Sequence, residues 1–326
     1  MSSSKPENLG SNLEVDPAVL EDSVADSYDS SGFCTSTESL TSSINQYIFE
    51  NGRRYHSYYG ADKNLMPTNE TEQDRLDLHH EIMLLLLEGK LHLAPIGPDP
   101  QKILDIGTGT GIWAVDCADI YSNAEVIGTD LSPIQPSWVP QNLKFEVDDM
   151  TQEWSYKDVY FPPIGHSRFG SYRCLKPGGY LKIAEMEFGT FSDDDKIDNG
   201  FRTWMEYLEE ACEKLGRPTI TAERVKQILN DGGLEGIQVA TMKQPFGPWA
   251  KDERMKKVGT MTMFTADSGS TGYGLALFTR VLDVAPEKAL AVCKAGAADT
   301  KNKNYHMWTP FHVAYGRKPI SADYQV

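Results

Sequence analysis

The chain lacks an excess of basic charge: 31 Lys and Arg stand against 47 Asp and Glu, a net of −16. No basic cluster interrupts that balance, so the polyanionic backbone of a nucleic acid and an anionic membrane surface are both repelled. Cysteine is scarce. The five residues (Cys34, Cys117, Cys174, Cys212 and Cys293) are widely spaced and never form a CxxC pair. Such spacing argues against a disulfide framework and a zinc site and fits a reducing compartment, hence a cytoplasmic protein, with nuclear residence left open. Long apolar runs are missing too. The longest, Ile82 to Leu87, is too short to span a bilayer, and the first residues lack the basic-then-apolar order of a secretory signal. What the sequence does have is 40% hydrophobic residues over 326 positions, enough for the core of one large or two ordinary domains.

Three regions differ in composition. Residues 1–43, rich in Ser, Asp and Glu, offer too few large apolar groups to offset the entropy of ordering and read as a disordered tail. Residues 44–98 read as an N-terminal helical cap. In "INQYIFENGRRYHSYY" aromatic residues crowd around two arginines, and "ETEQDRLDLHHEIMLLLLEGK" places Leu76, His79, Met83 and Leu86 at helical spacing, with acidic residues in the first turn and Gly89 as a stop. The pair His79-His80 reads as packing, since no third ligand stands at metal spacing. From residue 99 to 326 strands alternate with helices. Strands are expected at Ile103–Ile106, Glu125–Gly128, Leu143–Val147, Tyr180–Met186 and Leu234–Met242, and in the closing "HMWTPFHVAYG". Helices are expected at Ile112–Ile120, from an Asp198 cap to Leu215, from a Thr221 cap to Gly232-Gly233, and within about 245–300. Alternation of this kind implies an α/β fold with a mostly parallel, Rossmann-like sheet.

The turn after the first strand carries the chemistry. "ILDIGTGTGIW" sets Gly107, Gly109 and Gly111 at every second position around Thr108, so the backbone can turn sharply and approach a ligand with no side chain between them. A dinucleotide fingerprint would need its third glycine where Ile112 stands, and no Gly-Lys-Ser/Thr follows for a phosphate loop. What remains is Asp105-x-Gly107-x-Gly109-x-Gly111, the glycine motif of class I methyltransferases. Asp130 closes the second strand, followed by Leu131, where a carboxylate accepts ribose hydroxyl protons. Asp148, Asp149 and Met150 follow the third, where a carboxylate and the next N–H read an adenine edge. Asp105 is placed to hold a cationic amino group.

These motifs, together with "YIFENGRRYHSYY", "NETEQDRLDLHHEIMLLLLEGKLHLAPI", "AEVIGTDLSPIQPSWVPQNLKFEVDDM" and "YRCLKPGGYL", resemble the fungal LaeA-like methyltransferases from about Ile44 to the closing "YGRKP". The resemblance implies a class I methyltransferase fold, S-adenosyl-L-methionine as methyl donor, and a role in secondary metabolism, either modifying a metabolite or regulating its production. It also implies that the segment Tyr55 to Tyr59, with Tyr58, closes over the cofactor, and that Trp249 to Tyr273 surrounds a small-molecule acceptor. A protein partner belongs to the regulatory alternative.

One departure stands out. Between the third strand and "YRCLKPGG" the family has room for a further strand and a helix, whereas here Val159 to Leu175 must hold both, with Pro162 and Pro163 inside it. The fourth strand is therefore expected to be truncated or disrupted, which raises a catalytically impaired cofactor- or partner-binding regulator, or a splice-truncated product, as the alternative to an active enzyme. No catalytic base is assigned. His166 is the nearest by sequence, and Glu185, with Glu187 on the same face of its strand, is the other candidate.

Overall fold

A computed structural model describes residues 46–60, 64–149, 175–193, 196 and 199–320. Residues 1–43, Met150, His166, Cys34, Cys174, Asp198 and nearly all of 151–175 lie outside the described residues, and with them the expectations of a tail, of a damaged fourth strand and of His166 as a base.

A hairpin comes first. β1 (Tyr47–Glu50) and β2 (Arg53–His56) pair antiparallel around Asn51 and Gly52, both at positive φ (50° and 72°), the turn geometry that keeps the right-handed twist of the strands. After it come α1 (Glu70–Leu86), β3 (Lys102–Ile106), α2 (Ile112–Ile120), β4 (Glu125–Asp130) and β5 (Leu143–Val147). β6 (Tyr180–Met186), the short β7 (Phe191–Ser192), α3 (Asn199–Lys214), α4 (Ala222–Asp231) and β8 (Glu235–Pro245) continue the chain. α5 (Glu253–Ala276) runs into a π-helical turn at Leu277–Val281, and α6 (Pro286–Asp299) leads to β9 (Met307–Arg317). The Thr221 hydroxyl caps α4 by accepting from the Arg224 N–H at 3.2 Å, as the sequence suggests.

β3, β4 and β5 form a parallel ladder. A parallel sheet must be covered on both faces, and Ile103, Leu104, Val126 and Ile127 are accordingly buried. The other ladder is antiparallel: β6, β7 and β8 all pair with β9. Among the described strands, parallel pairing is thus confined to β3–β5, because β9 returns after α6 and lies between β6 and β8, antiparallel to both.

No described strand is hydrogen-bonded between β3 and β6. Side chains span that interval. Lys182 of β6 donates from Nζ to the Leu91 carbonyl at 2.9 Å and lies 4.8 Å from the centre of the Trp113 ring, while Tyr180 and Tyr315 pack against the cluster around Ile103 and Val126.

α1 is the joint of the molecule. Its Ile82, Met83 and Leu86 are buried with Val258 of α5 and Phe311 and Val313 of β9, and His80 pairs with Asp116 of α2 at 2.7 Å. The hairpin is latched to the helical side. Arg53 donates to the Ser268 carbonyl at 2.9 Å, and Arg280, presented by the π-helical turn, pairs with Glu50 at 2.6 Å over the Tyr55 ring. No helix among the described residues is long and apolar enough to cross a membrane.

Candidate functional site

The glycine turn lies where β3 gives way to α2. Gly107, Gly109 and Gly111 all sit at positive φ (69°, 58° and 84°), a region that costs a side-chain-bearing residue roughly 1–2 kcal/mol. Their surroundings differ. A Cβ on Gly111 would fall inside the Phe145 ring of β5, so this glycine allows helix and sheet to approach, whereas a Cβ on Gly107 would meet nothing within 4 Å. Gly107 faces open space.

The loop is held from three sides. The Thr108 hydroxyl donates to Asp105 Oδ2 at 2.6 Å, the Thr110 hydroxyl to Asp77 Oδ1 of α1 at 2.6 Å, and Gln135 Nε2 to the Gly109 carbonyl at 2.6 Å. Asp130, at the end of β4, accepts the Gly109 N–H on Oδ2 at 2.9 Å and the Ser132 N–H on Oδ1 at 3.0 Å. The carboxylate keeps capacity for a further donor. Burial pushes the Asp130 carboxyl up to about 6 although the Gly109, Ser132 and Leu131 N–H groups pull it down. Asp105 is likewise raised to about 6 by burial, against the pull of Thr108 and of the Lys182 ammonium. Asp148 and the buried Asp149 follow β5 on the same edge.

The N-terminal segment closes on this edge. Tyr59 donates to the Val147 carbonyl at 3.3 Å, and Asn64 Nδ2 to the Ser132 hydroxyl at 2.6 Å. Tyr58, half exposed, meets the Tyr59 ring edge-on with centroids 4.8 Å apart. Burial and the nearby Asp148 raise the Tyr59 phenol above its ordinary value.

These residues fit an adenosyl sulfonium. Asp105, Asp130 and Asp149 put three carboxylates along one strand edge, suited to a ligand that carries positive charge and a vicinal diol. The turn residues 105–111, 130–135 and 148–149 include no Lys or Arg that would take a phosphate. The open space over Gly107 is the cradle that a Cβ would fill.

A second feature shares α1 with this edge, and sequence reasoning missed most of it. A cavity of about 510 Å³ is lined by Arg75 and His79 of α1, Met186 of β6, aromatic residues of α3 and α5, and Gln244 of β8. Beneath it Arg75 and Glu72 form a buried pair at 2.6 Å, and Arg75 lies 4.9 Å from the centre of the Tyr273 ring. Burial, with the Arg75 charge beside it, lowers His79 to about 4, so the ring is neutral near pH 7. α1 thus faces both features: Leu76 and Asp77 meet the glycine turn, Arg75 and His79 the cavity. The expected acceptor region supplies Thr262, Thr265, Ala266, Gly269, Ser270 and Tyr273 to the lining. Of the remaining candidates there, Met255 and Met261 pack toward α1, while Phe264 is exposed.

Glu185 stands elsewhere. Alternation along β6 sends Ala184 and Met186 to the α1 side, and Leu181, Ile183 and Glu185 to the α4 side. Glu185 is not among the cavity's lining residues. Burial raises its carboxyl to about 7. Nearby, Glu187 Oε2 lies 2.7 Å from His312 Nε2, while His312 Nδ1 meets the exposed Thr241 hydroxyl at 2.9 Å. Only the order of residues across the sheet, invisible in the linear sequence, reveals that array.

The parallel β–α–β edge, with a bare glycine turn and a carboxylate beyond each strand, defines the class of nucleoside-binding α/β enzymes. A family model described as a methyltransferase domain matches residues 52–162. The chain is 36% identical over 312 residues to methyltransferase pytC of Aspergillus terreus, covering 90% of this chain and 94% of the relative. It is 32% identical to the secondary metabolism regulator LAE1 of Cochliobolus heterostrophus, covering 84% of this chain and 96% of that one. Among solved structures, phosphoethanolamine N-methyltransferase 2 of Haemonchus contortus, with phosphomonomethylethanolamine and S-adenosylhomocysteine, is 15% identical with a TM-score of 0.45, covering 84% of this chain and 71% of that one. This chain belongs to the LaeA-like methyltransferase family, whose methyl donor is S-adenosyl-L-methionine. Its fold and enzyme class are those of a methyltransferase acting on a small molecule or a protein, and the impaired-regulator alternative has no support in these relatives.

Proposed function

We propose that this chain holds S-adenosyl-L-methionine at the C-terminal edge of β3–β5 and transfers its methyl group to a small metabolite seated in the adjoining cavity, as a step of fungal secondary metabolism. The observation that carries this reading is the shared wall. One helix, α1, pins the glycine turn through Asp77 and lines the cavity through Arg75 and His79. When bound, the donor supplies an electrophilic methyl on a cationic sulfur.

The chain's own residues have three tasks. Asp130 accepts the ribose hydroxyls and Asp149 the adenine edge. Asp105 holds the amino group. The cavity orients the nucleophile in line and excludes water, which accounts for much of the barrier reduction when the donor is already activated. The acceptor's lone pair forms the new bond to carbon, the sulfur–carbon electron pair returns to sulfur, and any proton on the nucleophile leaves to a base or to water. The scarce, widely spaced cysteines support a reducing compartment for this activity, the cytoplasm with the nucleus left open. Incubation with methyl-labelled donor and a fungal extract, then separation into organic-soluble and protein fractions, tests the reading. Label in the organic-soluble fraction is the expected result, and label confined to protein would overturn the small-molecule acceptor.

A further inference from the structure

The cavity's Ser and Thr hydroxyls are of one kind, beside the nitrogen groups of Arg75 and His79 and the Tyr273 phenol. Thr262 donates its hydroxyl hydrogen to the Val258 carbonyl at 2.9 Å, Thr265 to Thr262 at 2.8 Å, Ser270 to Asp267 at 3.2 Å and Thr300 to Ala297 at 2.8 Å. The Trp204 indole N–H is spent on the Ser270 carbonyl at 3.2 Å. Each of these hydroxyl oxygens can therefore only accept from a ligand.

Gln244 completes the pattern. It is 2% exposed, and its Nε2 donates to Thr262 Oγ1 at 3.4 Å. Because the Thr262 hydroxyl hydrogen is already committed, the amide turns its nitrogen end to Thr262, which leaves its oxygen end for something else. That oxygen, Oε1, is buried with no partner among the described residues. A buried carbonyl left unpaired carries an uncompensated desolvation cost. The rest of the wall is apolar or charge-neutral: Met186, Phe201 and Phe246 offer carbon, and the Arg75 charge is matched by Glu72.

We propose that the cavity binds a neutral, largely aromatic molecule bearing a hydroxyl or N–H that donates to Gln244 Oε1, and that Gln244 makes the site reject analogues without that donor. The proposal rests on the reading of the cavity as the acceptor side and specifies its substrate class. An anion is disfavoured, since the wall presents acceptor oxygens and its guanidinium is already paired. A pocket built to hydrogen-bond a ligand hydroxyl discriminates strongly against the deoxy analogue, because the protein's polar atom is then left unpaired.

The test is calorimetric titration of the full chain with 2-naphthol, naphthalene and 2-naphthoate, each with and without S-adenosylhomocysteine. We expect 2-naphthol to bind at least tenfold more tightly than either of the others, and Gln244→Met to equalise 2-naphthol and naphthalene while S-adenosylhomocysteine still binds. Equal affinity of the wild-type chain for 2-naphthol and naphthalene would overturn the proposal, and so would a preference that survives in Gln244→Met. The wild-type arm decides the matter alone if the variant does not fold. Tight 2-naphthol binding without any S-adenosylhomocysteine binding would instead uphold the cavity's selectivity and overturn the methyl-transfer reading beside it.

Discussion

The edge of β3–β5 and the cavity beside it solve opposite problems with one shared helix. The edge gathers like charges: Asp105, Asp130 and Asp149 lie near one another with two of them raised to about 6 by burial, a cost that makes sense where a cationic ligand is to arrive. The cavity cancels charge before a ligand arrives, through the Arg75–Glu72 pair and a neutral His79. A site for a cation is thus built from clustered carboxylates and bare backbone, and a site for a neutral molecule from apolar surface with a few acceptor oxygens.

Breaking the cavity's internal pair should have the largest effect. Arg75→Met leaves Glu72, 1% exposed, buried without its partner and should cost about 3–5 kcal/mol in chemical denaturation. Adding Glu72→Gln should restore much of that loss. A single variant as stable as wild type would show that the pair is not buried as described.

The glycines sharpen the contrast within the edge itself. Gly111→Ala, which drives a methyl into Phe145 at a positive φ, should destabilise the fold by about 2–4 kcal/mol. Gly107→Ala meets no neighbour, so only the backbone strain of roughly 1–2 kcal/mol remains, yet its methyl occupies the cradle, and S-adenosylhomocysteine affinity should fall tenfold or more. Equal losses of stability in the two variants would erase the distinction drawn between them.

The smallest expected effect is one of pH. Asp105 and Asp130 have folded values raised from 3.8 to about 6, so the ligand-free fold binds more protons than the unfolded chain between about pH 4 and 6. Their stabilisation is full below that window and is lost as pH rises through 6. An α-ammonium against Asp105 and ribose hydroxyls on Asp130 favour the ionised forms, so the rise in Tm with saturating S-adenosylhomocysteine should grow from pH 5 to 7.5. Binding of 2-naphthol in the cavity, where His79 stays neutral, should change little over the same range. A pH-independent ligand shift would mean that neither carboxylate meets the ligand.

Much of the edge was legible in the sequence because its signals are local. Gly107, Gly109 and Gly111, the apolar strands on either side and the Asp at each strand end all lie in short stretches whose period and spacing carry the geometry. The α4 cap at Thr221 was legible for the same reason. The hairpin at Asn51-Gly52 had a readable turn signal, obscured by the aromatic residues around it. The cavity was not legible. Arg75, Met186, Gln244 and Ser270 meet only after α1, β6, β8 and α5 are assembled, and the orientation of the Gln244 amide depends on a hydroxyl hydrogen committed within another element. Which face of β6 Glu185 takes was not legible, because it depended on where α4 packs against Leu181 and Ile183.

The central claim concerns Asp130 and the bare turn opposite it, and titration of S-adenosylhomocysteine into the wild-type chain and Asp130→Ala at pH 7.5 tests it most directly. The account predicts saturable binding by the wild type, weakened in the variant by about 1–3 kcal/mol through loss of the ribose hydrogen bonds. Equal affinity in the two proteins, or no binding by a folded wild type, would contradict it.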